Sequence, residues 1–361
     1  MKEKKVKPKI FLATGGSGGH IFPALSVANE LTKNDFNVCV IADKVFERYS
    51  NGNINNRIIN TGKTLNSFFN IKEIIKGVLQ SRHLIKKENP DLVVAFGSYA
   101  TLPVLISCII TKTPFMLHEQ NVYIGKINKF FAKYSQKVMT SYHELYGVSF
   151  NDMEKIVFTG NPVRKEIQRL SNIEYKYPNE EKFNILITGG SSGAEIFSEY
   201  LPKIFDFSHK EEQKRIKIFH QVREEYLDQV KEYYKKINVE AIVSTFFKNI
   251  DELLEKAHLV IGRSGSGTLN EVAIAGKPIV LIPLKNSSNN HQEINAKLFS
   301  KNKAALIVLE KNFNIKDFQR LFFDLIQNKK LLEEMAKNIK NMSVINADIR
   351  IVDIIKEKIQ F

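Results

Sequence analysis

The residues Lys9-Ile10-Phe11-Leu12-Ala13-Thr14-Gly15-Gly16-Ser17-Gly18-Gly19-His20, continuing into Ile21-Phe22-Pro23-Ala24-Leu25, decide how the rest of the chain is read. A short apolar run reads as a strand, the glycines as a tight turn, and Leu25, Ala28 and Leu31 as one face of the helix that follows. Glycines let backbone bend sharply and approach a ligand with no Cβ in the way. The helix start adds N–H groups and a positive dipole end. An anionic or heavily hydroxylated ligand suits such a turn, although the spacing does not follow G-x-G-x-x-G in a clean register.

The unit recurs. Phe183–Thr188 reads as a strand ahead of Gly189-Gly190-Ser191-Ser192-Gly193-Ala194. Leu259-Val260-Ile261 runs into Gly262-Arg263-Ser264-Gly265-Ser266-Gly267-Thr268, with a helix expected from Leu269. Strand, glycine turn and helix, repeated in both halves, predict two nucleotide-fold domains with the ligand at the carboxyl ends of their strands.

Composition agrees with a soluble globular chain: 361 residues, 43% hydrophobic and 25% charged, enough for two domains. A net charge of +14 asks for an acidic partner. No aromatic–basic stacking platform supports a nucleic-acid role. Cys39 and Cys108 lie in apolar runs without metal-ligand spacing and read as buried thiols. Ile10–Ala13 is too short for a signal peptide. The uncharged run Leu92–Thr111 divides at Gly97-Ser98 and Pro103 into strand, turn and helix, so no membrane span is expected.

Between the glycine turns the alternation of strand and helix continues. Ile71, Ile74, Ile75, Val78 and Leu79, preceded by Phe68-Phe69, mark one helix face interleaved with Lys72, Lys76 and Arg82. That pattern has two readings, a core-facing stripe with a solvated basic face or a face that touches an anionic membrane. His118-Glu119-Gln120-Asn121 places four polar side chains at the end of the strand Phe115-Met116-Leu117, which favours a ligand-facing site. Residues 165–181 carry charges and turn formers and read as the inter-domain linker, with a hinge near 161–182.

The ordered set Gly15-Gly16-Ser17-Gly18-Gly19-His20, His118-Glu119-Gln120-Asn121, Gly160-Asn161-Pro162-Val163-Arg164, Gly189-Gly190-Ser191-Ser192-Gly193 and Arg263-Ser264-Gly265 resembles the MurG family. These are the bacterial N-acetylglucosaminyltransferases of peptidoglycan synthesis, and the resemblance spans nearly the whole chain. It implies an α/β fold of GT-B type, two doubly wound Rossmann-like domains facing across a cleft. Residues 1–164 are expected to form the acceptor and membrane-facing domain, joined by a C-terminal helix at about 342–361. Residues 165–341 are expected to bind UDP-GlcNAc.

The implied reaction is inverting transfer of GlcNAc from UDP-GlcNAc to the C4 hydroxyl of the MurNAc sugar in lipid I, the undecaprenyl-pyrophosphoryl-MurNAc-pentapeptide. The product is lipid II. No cofactor is implied, and the glycine turns can supply charge stabilisation without a metal. His20 and Glu119 are the two candidates for the catalytic base. Carried over to the donor are Ser191 beside it, Ser266, Gly267 and Thr268 at the diphosphate, Glu271 at the ribose and Phe247 at the uracil edge. Arg164 is placed at the nucleotide, and Asn121, Gln292 and Asn295 at the sugar. Ser17, Gly18 and Gly19 are expected to bind UDP-GlcNAc, and with Gly16, Gly97, Ser98 and Tyr99 on the acceptor side to meet the lipid diphosphate.

Because the acceptor is a lipid, Phe68, Phe69, Lys72, Ile75, Lys76 and Leu79 are expected to contact anionic lipids. This places the protein peripherally on the cytoplasmic side of the inner membrane, with other cell-wall enzymes as further partners. Two residues depart from the family's pattern: Ser98 stands where glycine is common, and His291 where glutamine often precedes Gln292. A UDP-GlcNAc 2-epimerase shares fold and donor and is one alternative. An inactive sugar-nucleotide sensor is the other.

Overall fold

The computed structural model describes residues 7–50, 52–62, 71–179, 182–190, 193–206 and 213–359. Phe68, Phe69 and Ser191 lie outside the described residues. The chain divides into two compact units, one formed by residues up to Arg164 together with those from Val344 on, the other by Lys165–Ser343.

The first unit is built on a parallel sheet of seven strands. These are β1 (Lys9–Ala13), β2 (Asn37–Ala42), β3 (Asn56–Ile58), β4 (Leu92–Ala95), β5 (Phe115–Glu119), β6 (Val138–Thr140) and β7 (Ile156–Phe158), in the order β3-β2-β1-β4-β5-β6-β7. The second holds β8 (Phe183–Thr188), β9 (Ile216–Gln221), β10 (Glu240–Ser244), β11 (Leu259–Gly262), β12 (Ile279–Leu281) and β13 (Ala305–Ile307), in the order β10-β9-β8-β11-β12-β13. Strands such as Ile10–Ala13 and Leu92–Ala95 are apolar without alternation because helices cover both faces of an all-parallel sheet.

In each sheet the strand order reverses once, between β1 and β4 and between β8 and β11. The loops leaving those strands part there and open a crevice. All three glycine turns fall at these two points.

The core of the first unit lies on both faces of its sheet. On one face the helix Gly18–Lys33 packs Ile21, Ala24, Val27 and Leu31 beside Ile351, Val352 and Ile355 of the last helix, Ala347–Ile359. Ser26 Oγ, buried in that contact, donates to Val163 O at 2.9 Å and to Asp348 Oδ2 at 3.3 Å. In the second unit Phe197, Phe205, Tyr234 and Phe322 fill the core over β8 and β9.

The segment expected as a linker is instead part of the second unit. Residues 165–172 are helical, with Ile167 and Leu170 buried. Tyr175 Oη donates to His258 O at 3.1 Å and Tyr177 Oη to Ile326 O at 2.8 Å. Its charges had masked these apolar anchors. The chain leaves and re-enters the first unit at Arg164–Lys165 and Ser343–Val344.

Both cysteines are free and buried. Burial raises the thiol pKa to about 11 for Cys39 and about 12 for Cys108.

Burial holds the His118 and His258 rings down to about pKa 4 and His220 to about 3, with the Lys277 charge adding to the shift of His258. Unfolding frees these rings to titrate near 6.5, so between the two values the unfolded chain binds more protons. Their contribution to stability is present above pH 6.5 and is lost as pH falls toward 4. Urea unfolding midpoints measured from pH 8 to pH 4.5 are expected to begin falling near pH 6.5, above the range where carboxylates titrate.

Candidate active site

In the first unit the turn after β1 meets the loop after β4. Gly16 has φ +77°, and a Cβ there would stand 2.3 Å from Ser98 Oγ, so only glycine allows the loops to close. Asp43, directly after β2, ties them. Its carboxylate accepts from Gly16 N at 3.1 Å, Tyr99 Oη at 2.9 Å and Val45 N at 3.2 Å. Burial and the adjoining Asp43 carboxylate push the Tyr99 phenol pKa up, so it stays a donor. Gly16, Ser17, Gly18, Gly19, Gly97, Ser98 and Tyr99 thus line the point where β1 and β4 diverge. Asp43 was not singled out in the sequence, although an acid closing a buried strand is a visible signal.

His118-Glu119-Gln120-Asn121 behaves differently from the expectation of a ligand-facing cluster. His118, Glu119 and Gln120 are 0%, 2% and 1% exposed. They spend their polar atoms internally. Glu119 Oε1 accepts from Asn121 N at 3.0 Å and Asn121 Nδ2 at 3.2 Å. Its Oε2 accepts from Gly125 N at 3.0 Å and Asn128 Nδ2 at 2.8 Å. A carboxylate already accepting four hydrogen bonds in a buried loop organises that loop and is poorly placed to take a substrate proton.

His20 is half-buried in the first turn of its helix, with Nδ1 2.9 Å from both Phe96 O and Gln120 Oε1. The same helix carries Phe22, whose ring lies 4.4 Å under the Arg164 guanidinium.

In the second unit the turns after β8 and β11 come together. A Cβ on Gly190 would lie 4.0 Å from Thr268 Oγ1. The helix Ser266–Ala275 begins earlier than expected, because Gly265 is extended and Ser266 is already helical. Its first-turn N–H groups, on Ser266, Gly267 and Thr268, have no carbonyl of their own helix to bond and carry its positive dipole end. Glu271 stands on the same helix, partly exposed.

Gln221 at the end of β9 donates to Gly190 O at 3.0 Å and Thr245 O at 3.2 Å and accepts from Thr188 Oγ1 at 2.8 Å. It joins three loops, and nothing in the sequence marked it. Phe247, in the loop after β10, is buried.

The residues expected at the sugar divide. Asn295 is fully buried and donates to Ser264 O at 3.1 Å, so it supports the turn from behind. Gln292 is partly exposed, but its Oε1 accepts from Leu284 N at 2.9 Å and its carbonyl accepts from Ser264 Oγ at 2.7 Å. His291 Nδ1 lies 2.7 Å from Ser288 O and closes its own turn. Arg263 is buried, donating to Ile282 O at 3.0 Å and Glu310 at 2.7 Å. Burial alone would push the Glu310 carboxyl pKa up, yet hydrogen bonds from Arg263 and Lys285 N hold it below its ordinary range.

Away from these loops, the helix Ile71–Glu88 is amphipathic in an inverted sense. It turns Gly77, Ser81 and Ile85 inward and leaves Ile71, Ile75 and Leu79 exposed at 71%, 53% and 58%. Gly77 explains the inversion: a Cβ there would stand 1.9 Å from Asn60 O, so the small face must pack. Lys72 and Lys76 lie in the same exposed stretch. Among the described residues no helix is long and apolar enough to cross a membrane.

Two family models match the chain: the glycosyltransferase family 28 N-terminal domain over residues 10–140 and its C-terminal domain over residues 184–349. A Rickettsia typhi protein named UDP-N-acetylglucosamine–N-acetylmuramyl-(pentapeptide) pyrophosphoryl-undecaprenol N-acetylglucosamine transferase is 33% identical, over 92% of this chain and 94% of that one. The crystal structure of Acinetobacter baumannii MurG matches with a TM-score of 0.77 at 27% identity, over 97% of this chain and all of that one. A putative UDP-N-acetylglucosamine 2-epimerase from Listeria monocytogenes shares the fold alone, with a TM-score of 0.69 at 18% identity over 98% and 97% of the two chains.

Ser98 holds φ +71° and ψ 154°, a conformation natural to glycine and strained for any side chain. Ser98→Gly is expected to raise unfolding stability by about 1 kcal/mol, read from urea denaturation. The gain is a net figure, because the variant also gives up the weak 3.4 Å contact from Ala100 N.

Proposed function

The chain belongs to glycosyltransferase family 28, with its MurG-type N-acetylglucosaminyltransferases, and from that membership we propose how its two units divide one reaction. The chain transfers GlcNAc from UDP-GlcNAc to lipid I and forms lipid II. The second unit takes the donor. The observation that carries this reading is the helix opening at Ser266 beside the Gly189–Gly190 turn, with Glu271 further along the same helix.

N–H groups and the positive helix end at Ser266, Gly267 and Thr268 suit a diphosphate that gains charge as it leaves. Glu271 accepts hydrogen bonds from the ribose hydroxyls, the backbone at Phe247 reads the uracil edge, and Ser191 and Arg164 complete the nucleotide contacts. Of the residues that family resemblance assigns to the sugar, Gln292 and Asn121 keep that role in this reading, and Asn295 holds the Ser264 turn.

The first unit takes the acceptor. Gly16–Gly19 and Gly97–Tyr99 form the turn pair for the lipid diphosphate. The acceptor C4 oxygen attacks the anomeric carbon from the face opposite UDP, the bond to the diphosphate oxygen breaks, and the configuration inverts. His20 takes the hydroxyl proton. Glu119, saturated with hydrogen bonds, holds the loop beside it.

The first test follows label from radiolabelled UDP-GlcNAc into a short-chain lipid I analogue. A labelled disaccharide-lipid is expected, with turnover reduced ~100-fold or more in His20→Ala and a raised KM for UDP-GlcNAc in Glu271→Ala. UDP release without acceptor, yielding free ManNAc, would turn the reading to the epimerase. Tight UDP-GlcNAc binding without turnover would turn it to a sensor.

The exposed stripe Ile71, Ile75 and Leu79 with Lys72 and Lys76 suits an anionic bilayer surface on the cytoplasmic side of the inner membrane. Each basic side chain near such a surface contributes about 1 kcal/mol. Sedimentation with vesicles containing anionic lipid is expected to capture the wild type. It should lose the Lys72→Glu, Lys76→Glu double variant and an Ile75→Ser, Leu79→Ser variant. Equal binding by all three would remove the membrane reading.

A further inference from the structure

The backbone carbonyls of Phe96, His118 and Gly160 leave the polar side chains around His20 no choice of orientation. Gln120 Nε2 lies 2.9 Å from Phe96 O and 3.3 Å from His118 O. Carbonyls only accept, so the atom facing them is the amide nitrogen and Oε1 is the atom 2.9 Å from His20 Nδ1. His20 Nδ1 therefore faces two acceptors, Gln120 Oε1 and Phe96 O, and carries the ring proton.

On the other side Gln120 Nε2 lies 3.1 Å from His118 Nδ1, which must accept, while His118 Nε2 donates to Gly160 O at 3.1 Å. One chain of donors runs from His20 through Gln120 and His118 to Gly160 O. Gly160 precedes by four residues the point where the chain leaves the first unit.

We propose that Gln120 and His118 are positioning residues that fix the His20 ring in its Nδ1–H tautomer, placing the basic lone pair on Nε2. This rests on His20 being the base. Only a neutral His118 can accept at Nδ1 while donating at Nε2. Burial supplies that neutrality, holding the ring down to about pKa 4 against the opposing effect of the Gly160 hydrogen bond, with the nearby His20 adding to the lowering.

When Nε2 takes the acceptor proton, the new charge is shared with Nδ1–H, which already points at two carbonyl oxygens. No heavy atom of the ring has to move, which is the advantage of preorganised dipoles. Gly97 belongs to the same device. A Cβ there would press on Asn128 Nδ2 at 3.3 Å and touch Gln120 Oε1 at 3.4 Å and His20 Nδ1 at 3.5 Å, and the φ of +73° disfavours any side chain.

The test reads the tautomers directly. In full-length protein labelled with 15N-histidine, long-range proton–nitrogen spectra distinguish Nδ1–H from Nε2–H rings, and a His20→Gln variant assigns the His20 signals. His20 is expected as Nδ1–H and His118 as Nε2–H. A His20 ring found as Nε2–H overturns the proposal, whatever any variant does.

Gln120→Leu and His118→Leu are expected to lower kcat at least ~10-fold, leave KM for UDP-GlcNAc unchanged, and shift the His20 signals toward averaged tautomers. His118→Asn keeps an acceptor near the Nδ1 position and is expected to recover most of that loss. Leucine variants that fold and retain both kcat and the His20 tautomer would also overturn the proposal. The spectra remain decisive if those variants do not fold. Should His20→Ala keep full activity while the wild-type tautomers are as stated, the assignment of the base falls and the tautomer assignment stands.

Discussion

A buried parallel strand ends with backbone groups and side chains that must find hydrogen-bond partners away from water, and the site architecture follows from that requirement. Unpaired polar groups there would each cost on the order of 1–3 kcal/mol. At the ends of β2, β5 and β9 the chain answers with Asp43, the Glu119–Gln120 pair and Gln221, each accepting or donating across two or three loops. At β1, β8 and β11 it answers with glycine turns, which after β1 and β11 lead directly into the helix starts at Gly18 and Ser266. The first group of strands builds a rigid frame, and the second sits where the strand order of each sheet reverses.

That division separates residues that touch substrate from residues that hold them. Glu119, a candidate base by family resemblance, and Asn295, placed at the sugar by it, are both buried and bonded into the loops they support. Arg263 is the same in kind, a buried cation paired with Glu310 beneath its turn. A frame of this sort keeps polar groups satisfied before ligand arrives. The groups facing the crevice then need little rearrangement in the transition state.

The helix Ile71–Glu88 obeys a different constraint. Its packing face is chosen by the close approach to Asn60 O, which admits only Gly77 and its small neighbour Ser81. The large apolar residues are consequently displaced to the outside. Periodicity in the sequence revealed the stripe at Ile71, Ile75 and Leu79 but not its direction, because hydrophobic spacing is the same whichever side packs. The same limit applied to residues 165–179, where charges suggested a linker and the buried Ile167, Leu170 and tyrosine anchors made it part of the second unit.

By itself the sequence determined the two parallel sheets, the glycine turns at their crevices and the kinship to family 28, because these depend on local apolar runs and on residue types with few alternatives. Glycines in the turns and apolar runs in the strands are written in the chain residue by residue. The tertiary structure alone decided the working arrangement of the polar residues. Which atom of Gln120 faces His20, how many donors Glu119 accepts and whether Asn295 sees solvent depend on carbonyls and amides brought from distant segments. Phe96 and Gly160 contribute only their backbone oxygens to that network, and a backbone oxygen is the one group that every residue type shares.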